Sequence, residues 1–427
     1  MILFMFVLLI ALVILGIPIA FSIGMAAVVS MLFFVDNVPL NLIVTKMFSG
    51  LDSFPLMAIP FYILAGELLN GGGLTQRIID FAKALVGHIR GGLAHVSVIA
   101  AMMFGGVSGS ASADVAAIGS VMIPAMEKNK YGKDFAVSLI ANAGTLGPII
   151  PPSILMVIFG SLTGVSIGQL FIGGFIPGII VGLCLMATVA ILCVLRGYKE
   201  RSKFSLKNVF VTGFRASGAI LVPLIIIGGT AFGIMTPTEA GVGAVLVALF
   251  LGVFVYRNIT SFQQFKKIFI DSALSTSIVM IILSFSSIFS ELLIRGGFQK
   301  QMLGFLTGIT DSPMLTIIIL LVFVFIMGFF VDTTPILIMF SVPFLSIATQ
   351  MGYDPVHFGV VMVMAAAIGG VTPPVGVLLI LACSIAKIPV SRVIKVNMWF
   401  VMALFVATLI TFLIPATVTW LPSLIMK

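Results

Sequence analysis

Charged residues are scarce in this chain, and their scarcity limits the possible folds. Only 8% of the 427 residues are charged, whereas 60% are apolar and the mean hydropathy is +1.29. A soluble domain carries about a quarter of charged residues, so a soluble globular fold is excluded. At roughly 20 residues per crossing, the chain is long enough for many membrane helices. The composition predicts an all-α polytopic membrane protein.

Residues that serve enzymes are also few. The three histidines, His88, His95 and His357, are dispersed and lack the His-Glu-x-x-His spacing of a membrane metalloprotease. The three cysteines have no metal-ligand spacing, and the absence of a Walker loop excludes ATP as the driving force. The net charge of +8 is spread over short loops, which argues against nucleic-acid binding. We expect neither an enzyme nor a transition-metal protein.

What the chain does contain is a long internal repeat. The recurring motifs are Glu67-Leu68-Leu69 with Glu291-Leu292-Leu293, Val107-Ser108-Gly109-Ser110 with Val331-Asp332-Thr333-Thr334, and Pro151-Pro152 with Pro373-Pro374. The shift is 291 − 67 = 224 residues for the first two motifs and 373 − 151 = 222 residues for the prolines. Two halves interrupted by glycine, proline and hydroxyl residues at membrane depth are typical of secondary transporters.

The most charged stretch, 196–215, separates a first membrane repeat (1–195) from a second (216–427). Two predicted crossings separate this linker from the basic patch 128–133, so both lie on the same side of the membrane. Because both are basic, the positive-inside rule places them in the cytoplasm. Inversion of the repeats is expected to place Arg295, Lys300, Lys387, Arg392 and Lys395 inside and Arg257, Lys266 and Lys267 outside. Whether 216–257 crosses once or twice decides this point, and the sequence leaves it open.

Both halves begin with apolar helices and continue with an amphipathic segment. The first apolar helix, 2–34, is interrupted at Gly16-Ile17-Pro18. The amphipathic segments, 74–90 and 296–309, predict helices that lie at the membrane interface.

A dense polar cluster follows at 104–114, with three serines, three glycines and one carboxylate. Such groups cannot face lipid, where each unsatisfied one costs several kcal/mol. Because 107–127 is too short to cross twice, we predict a re-entrant hairpin; a packing surface of small residues is the alternative. The counterpart, 332–350, begins with Asp332, which is a candidate Na⁺ ligand, proton carrier or helix N-cap.

Each half then breaks an apolar span with prolines, at 135–163 and 356–385. Proline removes a backbone donor and stops a helix, and the unwound turn leaves carbonyl oxygens free to bind Na⁺. A packing kink is the alternative, but two breaks in equivalent positions favour a functional role. Glu67, Glu291 and Glu239 lie near helix ends, and we expect them to be structural.

Neither predicted hairpin and neither broken span contains lysine or arginine. An anionic substrate there would be met by half-helix N-termini and bound cations rather than by a salt bridge. This pattern favours cation-coupled uptake over an anion pore lined with basic rings.

Five segments of the chain carry a family resemblance. They are Met57–Glu67, Gly105–Asp114, Gly147–Ser153, Pro237–Ala240 and Val371–Pro374. Together they resemble the large membrane subunit of tripartite ATP-independent periplasmic (TRAP) transporters over essentially the whole chain. The resemblance implies a bacterial inner-membrane protein with two inverted repeats. Each repeat would combine scaffold helices, an interfacial arm helix, a re-entrant hairpin and a broken transmembrane helix, working as an elevator.

The resemblance also implies Na⁺ as the coupled ion, bound between each hairpin and its broken span. The matching positions are Ser108, Ser110, Ser112, Asn142 and Thr145 in the first half, and Asp332, Thr333, Thr334, Thr372 and Gly376 in the second. For the substrate we expect contacts from Ser110, Ser153, Thr334, Pro152 and Pro374.

The implied partners are a separate small four-span membrane subunit and a soluble periplasmic binding protein that delivers an organic acid anion. Family substrates are C4-dicarboxylates, sialic acids and other sugar acids, and the overall likeness favours sialic acid. The alternative from another class is a stand-alone Na⁺/anion symporter or exchanger that needs no binding protein.

Overall fold

The computed structural model describes residues 1–35, 41–200 and 202–426, and over these residues it is helical without strands. The α-helices are α1 (Ile2–Ile14), α2 (Ile19–Phe34), α3 (Asn41–Ser49), α4 (Ala58–Gly71), α5 (Leu74–Val86), α6 (Gly92–Ser108), α7 (Ala111–Lys128), α8 (Lys133–Ala143), α9 (Ile154–Thr163), α10 (Ile167–Leu195), α11 (Leu206–Arg215), α12 (Gly218–Ala231), α13 (Pro237–Phe250), α14 (Phe262–Arg295), α15 (Phe298–Ile309), α16 (Pro313–Met327), α17 (Thr333–Gln350), α18 (Pro355–Gly369), α19 (Val377–Ala386), α20 (Ile394–Leu413) and α21 (Ala416–Ile425). The predicted all-α class is confirmed.

Several of these helices are suited to a bilayer. Six in the described part are long and apolar enough to cross alone: Phe54–Gly71, α10, Pro237–Val255, α14, α17 and α20. The pair Leu206–Arg215 and Ile220–Ala231, bent by 62°, would add a seventh. Large apolar side chains such as Leu183, Leu224 and Leu246 are exposed on the outer surface. Lipid is the solvent that accommodates such a surface, so the chain is a polytopic membrane protein.

The proline breaks separate helices at equivalent places in the two halves. The first unwound segment lies between α8 and α9 and the second between α18 and α19, and both proline pairs have cis peptide bonds. Ser153 is the N-cap residue of α9, where its Oγ accepts a hydrogen bond from Met156 N at 3.2 Å. Gly376 is the N-cap residue of α19 and has a left-handed φ of +37°, which glycine adopts without a Cβ clash. Each predicted broken span is therefore two short helices around an unwound segment.

Each half also contains two antiparallel helices joined by a short tip. Helices α6 and α7 meet at Gly109-Ser110, and a 3.7 Å contact from Ser97 Oγ to Met126 Sδ joins the far ends of these arms. In α16 and α17 the rings of Phe323 and Phe340 lie 5.2 Å apart. The predicted hairpin ranges contain only the tip and the second arm, because the first arm is as apolar as a lipid-facing span.

The N-terminal apolar segment is a hairpin rather than one interrupted helix. Gly16 has a left-handed φ of +83°, and Pro18 cannot donate a helical hydrogen bond. The chain reverses there, so the ring of Phe4 in α1 lies 5.2 Å from that of Phe34 in α2. The expectation of a single helix over 2–34 is wrong, because the break reverses the chain direction instead of only kinking the helix.

One end of the bundle, the linker face, is marked by contacts of residues 196–200 and of Ser202. Arg196 forms an ion pair of 2.8 Å with Asp134, at the start of α8. Gly91 N, at the base of the first hairpin, donates to the Glu200 carbonyl at 3.2 Å. The basic patch that precedes α8 and the linker therefore lie together, as predicted, and the first hairpin opens at this face.

The opposite end, the far face, contains the base of the second hairpin. Helix α18 begins there, five residues after α17 ends, and His357 Nε2 lies 3.0 Å from the Thr411 carbonyl near the end of α20. A Cβ on Gly173, near the start of α10, would lie 3.3 Å from Val356. Helix α10 has 29 residues, or about 43 Å, and connects this end to the linker face. The two hairpins open at opposite faces, as inverted repeats require.

The chain between 216 and 257 passes through the bundle twice. A Cβ on Gly218 would lie 2.8 Å from Leu251 and one on Gly229 would lie 3.3 Å from Met235, so α12 and α13 are antiparallel. The second pass returns Arg257 to the linker face, beside the start of α5. The sequence-based sides of Arg257, Lys266, Lys267, Arg295 and Lys300 are therefore reversed, because the assignment omitted this crossing. The linker face gains basic residues as a result.

These contacts predict the sidedness of single reporter cysteines. In a background whose three native cysteines are replaced by alanine, Lys130→Cys and Lys199→Cys should react with an impermeant thiol reagent from the cytoplasmic side. Gln350→Cys should react only from the periplasmic side. All three side chains are exposed, and vesicles of both orientations provide the measurement. Labelling of positions 130 and 350 from the same side would contradict the inverted arrangement.

Candidate substrate and ion site

The tips of the two hairpins meet at a cavity of about 770 Å³. Among the predicted residues, those that line it are Ser108, Ser110 and Ser112 from the first tip and Asp332, Thr333 and Thr334 from the second. The opposite wall is formed by α4 and α14. The cavity extends past Glu67 and Asn70 to Thr75 and Gln76, near the linker face. Its described lining contains two acidic residues and no lysine or arginine.

The other predicted site residues do not line the cavity. Asn142, Thr145, Ser153 and Thr372 are buried, and Gly376 begins α19. Ser153 Oγ is already engaged, since it donates to the Pro148 carbonyl at 2.6 Å in addition to capping α9. Pro152 is buried, whereas Pro374 is exposed away from the cavity. Substrate contacts from Ser153, Pro152 and Pro374 therefore stay predictions.

Each hairpin tip is hydrogen-bonded to the broken span of its own half. Ile154 N, at the start of α9, donates to the Gly109 carbonyl at 3.4 Å. In the second half, Val375 N donates to the Phe329 carbonyl at 3.3 Å. Tip and unwound segment thus satisfy each other's backbone groups, which is necessary at a depth where water is absent.

Glycine pairs allow these tips to approach so closely. A Cβ on Gly105 would lie 2.9 Å from the Cα of Gly147, and Gly328 and Gly369 meet in the same way in the second half. The shifts, 328 − 105 = 223 and 369 − 147 = 222 residues, match the repeat. Backbone therefore packs directly on backbone, and no side chain fits between tip and break.

Asp114 is the site residue that sequence reasoning omitted. Its side chain is 1% exposed, and its carboxylate accepts a hydrogen bond from Ser108 Oγ. The second oxygen, Oδ2, has no hydrogen-bond partner among the described residues and faces Gly105 and Gly147. A buried carboxylate is costly without a positive partner. Asp114 belongs to the polar cluster 104–114 that the sequence singled out. Its contact with Ser108, however, depends on the first turn of α7.

The acidic residue of the second half has a different setting. Asp332 occupies the N-cap position of α17, yet its side chain makes no capping hydrogen bond. Beside it, Thr333 Oγ1 lies 3.5 Å from the Ala366 carbonyl, and Thr372 Oγ1 donates to the Ile368 carbonyl at 2.7 Å. These hydroxyl oxygens keep lone pairs available, so the arrangement can accept a cation.

A second omitted residue, Asn397 of α20, connects the two halves. Asn142 Nδ2 donates to Asn397 Oδ1 at 2.7 Å, and Asn397 Nδ2 donates to the Val371 carbonyl at 2.8 Å. Asn397 lies in a mostly apolar helix outside the recurring motifs, so no sequence signal indicated it.

Of the three glutamates expected to be structural, two have clear partners. Glu291 forms ion pairs with Lys46 at 3.0 Å and Arg295 at 2.7 Å. Glu239 completes a capping box with Thr236 at the start of α13. Glu67 lines the cavity, and no salt bridge to it is seen among the described residues.

The family model described as "Tripartite ATP-independent periplasmic transporter, DctM component" matches residues 6–417 of this chain. The chain belongs to this family. It is 35% identical to the sialic acid TRAP transporter large permease protein SiaM of Vibrio cholerae, covering 96% of this chain and 95% of that protein. It is also 35% identical to the C4-dicarboxylate TRAP transporter large permease protein DctM of Pseudomonas aeruginosa, covering 94% of each.

A solved structure shares the fold without close sequence similarity. The YdaH transporter of Alcanivorax borkumensis is 11% identical, with a TM-score of 0.65 over 90% of both chains. Family and spans together make the chain an inner-membrane protein, and its relatives are named as permeases rather than enzymes. The TRAP resemblance is confirmed.

The glycine contacts predict a sharp positional difference between two alanine substitutions. In Gly147→Ala the new methyl would lie 3.1 Å from the Ser110 carbonyl carbon and against Asp114 Oδ2, whereas a Cβ on Gly228 of α12 meets nothing within 4 Å. Overpacking of this kind costs about 1–3 kcal/mol. Thermal unfolding of the purified proteins should show a lower midpoint for Gly147→Ala only. Equal midpoints would contradict the close packing of tip and break.

Proposed function

We propose that this chain is the large membrane subunit of a Na⁺-coupled tripartite transporter that imports an organic acid. The observation that carries the proposal is the buried Asp114 carboxylate, whose Oδ2 lacks a partner in the described structure at the junction of hairpin tip and broken span. An anion importer with a buried acid at its centre needs that negative charge neutralised, and a bound Na⁺ would do so. A small four-span membrane subunit and a soluble periplasmic binding protein would complete the assembly.

The donor atoms around Asp114 fit Na⁺. They are oxygens only: the carboxylate itself, Ser108 Oγ, and the Ser110 carbonyl 3.4 Å from that hydroxyl. Hard cations prefer such oxygen ligands. In the second half, Asp332 with Thr333, Thr334 and Thr372 offers an equivalent set, so we propose one ion per half.

Transport would follow an elevator mechanism. Each hairpin is hydrogen-bonded to its broken span, and Asn142 and Asn397 join α8 to α20, so these elements form one body. This body faces α4 and α14 across the cavity. At the cavity wall, Gly66 of α4 packs against Ser108. Because the cavity extends to the basic linker face, we assign the arrangement to the cytoplasm-facing state.

The substrate would be an organic acid anion, held by the half-helix N-termini at Ser110 and Thr334 and by the bound cations. The SiaM and DctM relatives are equally identical to this chain and are named for sialic acid and C4-dicarboxylate respectively. Sialic acid is our first choice, and both acids belong in the assay.

Uptake into liposomes tests the proposal directly. With the small subunit and a loaded binding protein present, uptake should require an inward Na⁺ gradient and increase with an inside-negative potential. Sialic acid carries one carboxylate, which one Na⁺ neutralises, so the second ion moves net charge, worth about 2.3 kcal/mol per 100 mV. A C4-dicarboxylate with two Na⁺ would move no net charge and would not respond to the potential. Uptake that is unchanged without Na⁺ would refute coupling. Uptake that is unchanged without the binding protein would favour the stand-alone symporter or exchanger.

Substitutions near the tips should distinguish side chains that bind the ion from side chains that only line the cavity. Ser110→Ala, Thr372→Ala and Asp114→Asn should each raise the half-saturating Na⁺ concentration, because loss of one buried oxygen partner costs about 1–3 kcal/mol. Ser120→Ala is the matched control, since this serine lines the same cavity but its Oγ donates to the Ala117 carbonyl at 2.9 Å. Wild-type Na⁺ affinity in all three variants would move the ion sites elsewhere.

A further inference from the structure

Two buried asparagines join the unwound segments of the two halves. Asn142, on α8, and Asn397, on α20, are both 0% exposed. Asn142 donates to Asn397 and Asn397 donates to the Val371 carbonyl, at 2.7 and 2.8 Å. Asn142 lies two residues before the first unwound segment, and Val371 lies within the second. A chain of two amides therefore runs from one break to the other.

Packing does not require amides at this place. With the 222-residue shift of the proline pairs, Asn142 corresponds to Met364 (142 + 222 = 364) and Ser138 to Val360 (138 + 222 = 360). Met364 and Val360 are buried apolar residues of α18. The second half thus packs the equivalent positions of its helix without amides or hydroxyls. Because apolar groups of similar shape can replace a buried hydrogen-bonded pair at little cost, the pair indicates a role beyond packing.

Each end of the amide chain contacts a candidate ion site. At the first end, the Asn142 carbonyl accepts a hydrogen bond from Thr145 Oγ1 at 2.7 Å, and Asn142 Oδ1 is buried without a partner in the described structure. At the second end, Val371 shares a peptide bond with Thr372, whose carbonyl would lie 3.1 Å from a Cβ on Gly376. The orientation of that peptide sets where the Thr372 oxygens point.

We propose that Asn397 is a positioning residue that couples the two ion sites, an inference that rests on the proposed Na⁺ coupling. A cation near Asn142 polarises its amide and strengthens the hydrogen bond to Asn397. That bond in turn strengthens the one from Asn397 to Val371, since hydrogen bonds in a low-dielectric interior reinforce each other. The first ion thereby holds the Val371-Thr372 peptide in place, and the second ion binds more tightly.

Equilibrium binding of radioactive Na⁺ to the purified full-length chain tests this coupling without any substrate. The wild type should bind with a Hill coefficient above one. Asn397→Leu should bring the coefficient to one and raise the half-saturating concentration about 5-fold or more. Asn397→Ser is the milder second variant, because a helical serine can bond to the carbonyl four residues earlier and adds no bulk.

Ser138→Ala is the matched control. Ser138 Oγ lies 3.4 Å from the Val393 carbonyl, so this substitution removes a contact between the same two helices, one turn away from the asparagines. The control should keep the wild-type Hill coefficient. An equal loss of cooperativity in Ser138→Ala would assign the effect to helix packing and overturn the proposal.

The remaining outcomes are also decisive. Absence of Na⁺ binding in the wild type would refute the proposed function itself. A cooperative wild type together with folded, equally cooperative Asn397 variants would overturn only the coupling role. If Asn397→Leu does not fold, Asn397→Ser carries the test. Failure of both variants to fold would make the pair a folding element and overturn the proposal.

Discussion

Backbone groups released by the proline breaks must find partners without water, and the centre of the protein depends on this requirement. The hairpin tips supply those partners. Gly109 accepts from Ile154 N and Phe329 accepts from Val375 N. Glycine pairs are needed because only backbone without Cβ atoms can approach closely enough for such bonds. The same contacts bring hydroxyl and carboxylate oxygens to one cavity, so the candidate site results from meeting this requirement.

The two halves are similar in their backbone contacts but differ in the polar residues that those contacts bring together. The glycine pairs, the proline pairs and the tip-to-break hydrogen bonds recur at nearly constant shifts. The acidic residues do not: Asp114 lies one turn inside α7 and is reached through Ser108, whereas Asp332 lies at the tip itself. Asn142 likewise has no polar counterpart, because the equivalent residue of the second half is Met364. The two proposed ion sites would therefore differ in their ligands, and we expect them to differ in affinity.

Much of this architecture could be predicted from sequence, because proline, glycine and hydroxyl residues inside apolar runs have few physical explanations. The breaks and the hairpin tips followed from that pattern, and the family resemblance supplied the six tip residues that line the cavity. Asp114 and Asn397 could not be predicted in this way. A helical turn brings Asp114 to the site, and a contact between helices distant in sequence brings Asn397 there. The reversal at Gly16 was missed, and the number of passes through 216–257 stayed open, because hydropathy reports apolar length but not chain direction.

The linker between the halves is fastened to the first hairpin. Tyr198 Oη accepts from Gly132 N at 2.9 Å, Arg90 Nε donates to the Tyr198 carbonyl at 3.1 Å, and Ser202 N donates to the Gly87 carbonyl. These contacts fix the linker at the base of the hairpin and leave the segment that enters α11 and α12 as its continuation. Under the proposed elevator movement, a displacement of the hairpin would therefore be transmitted along the covalent chain to the second half.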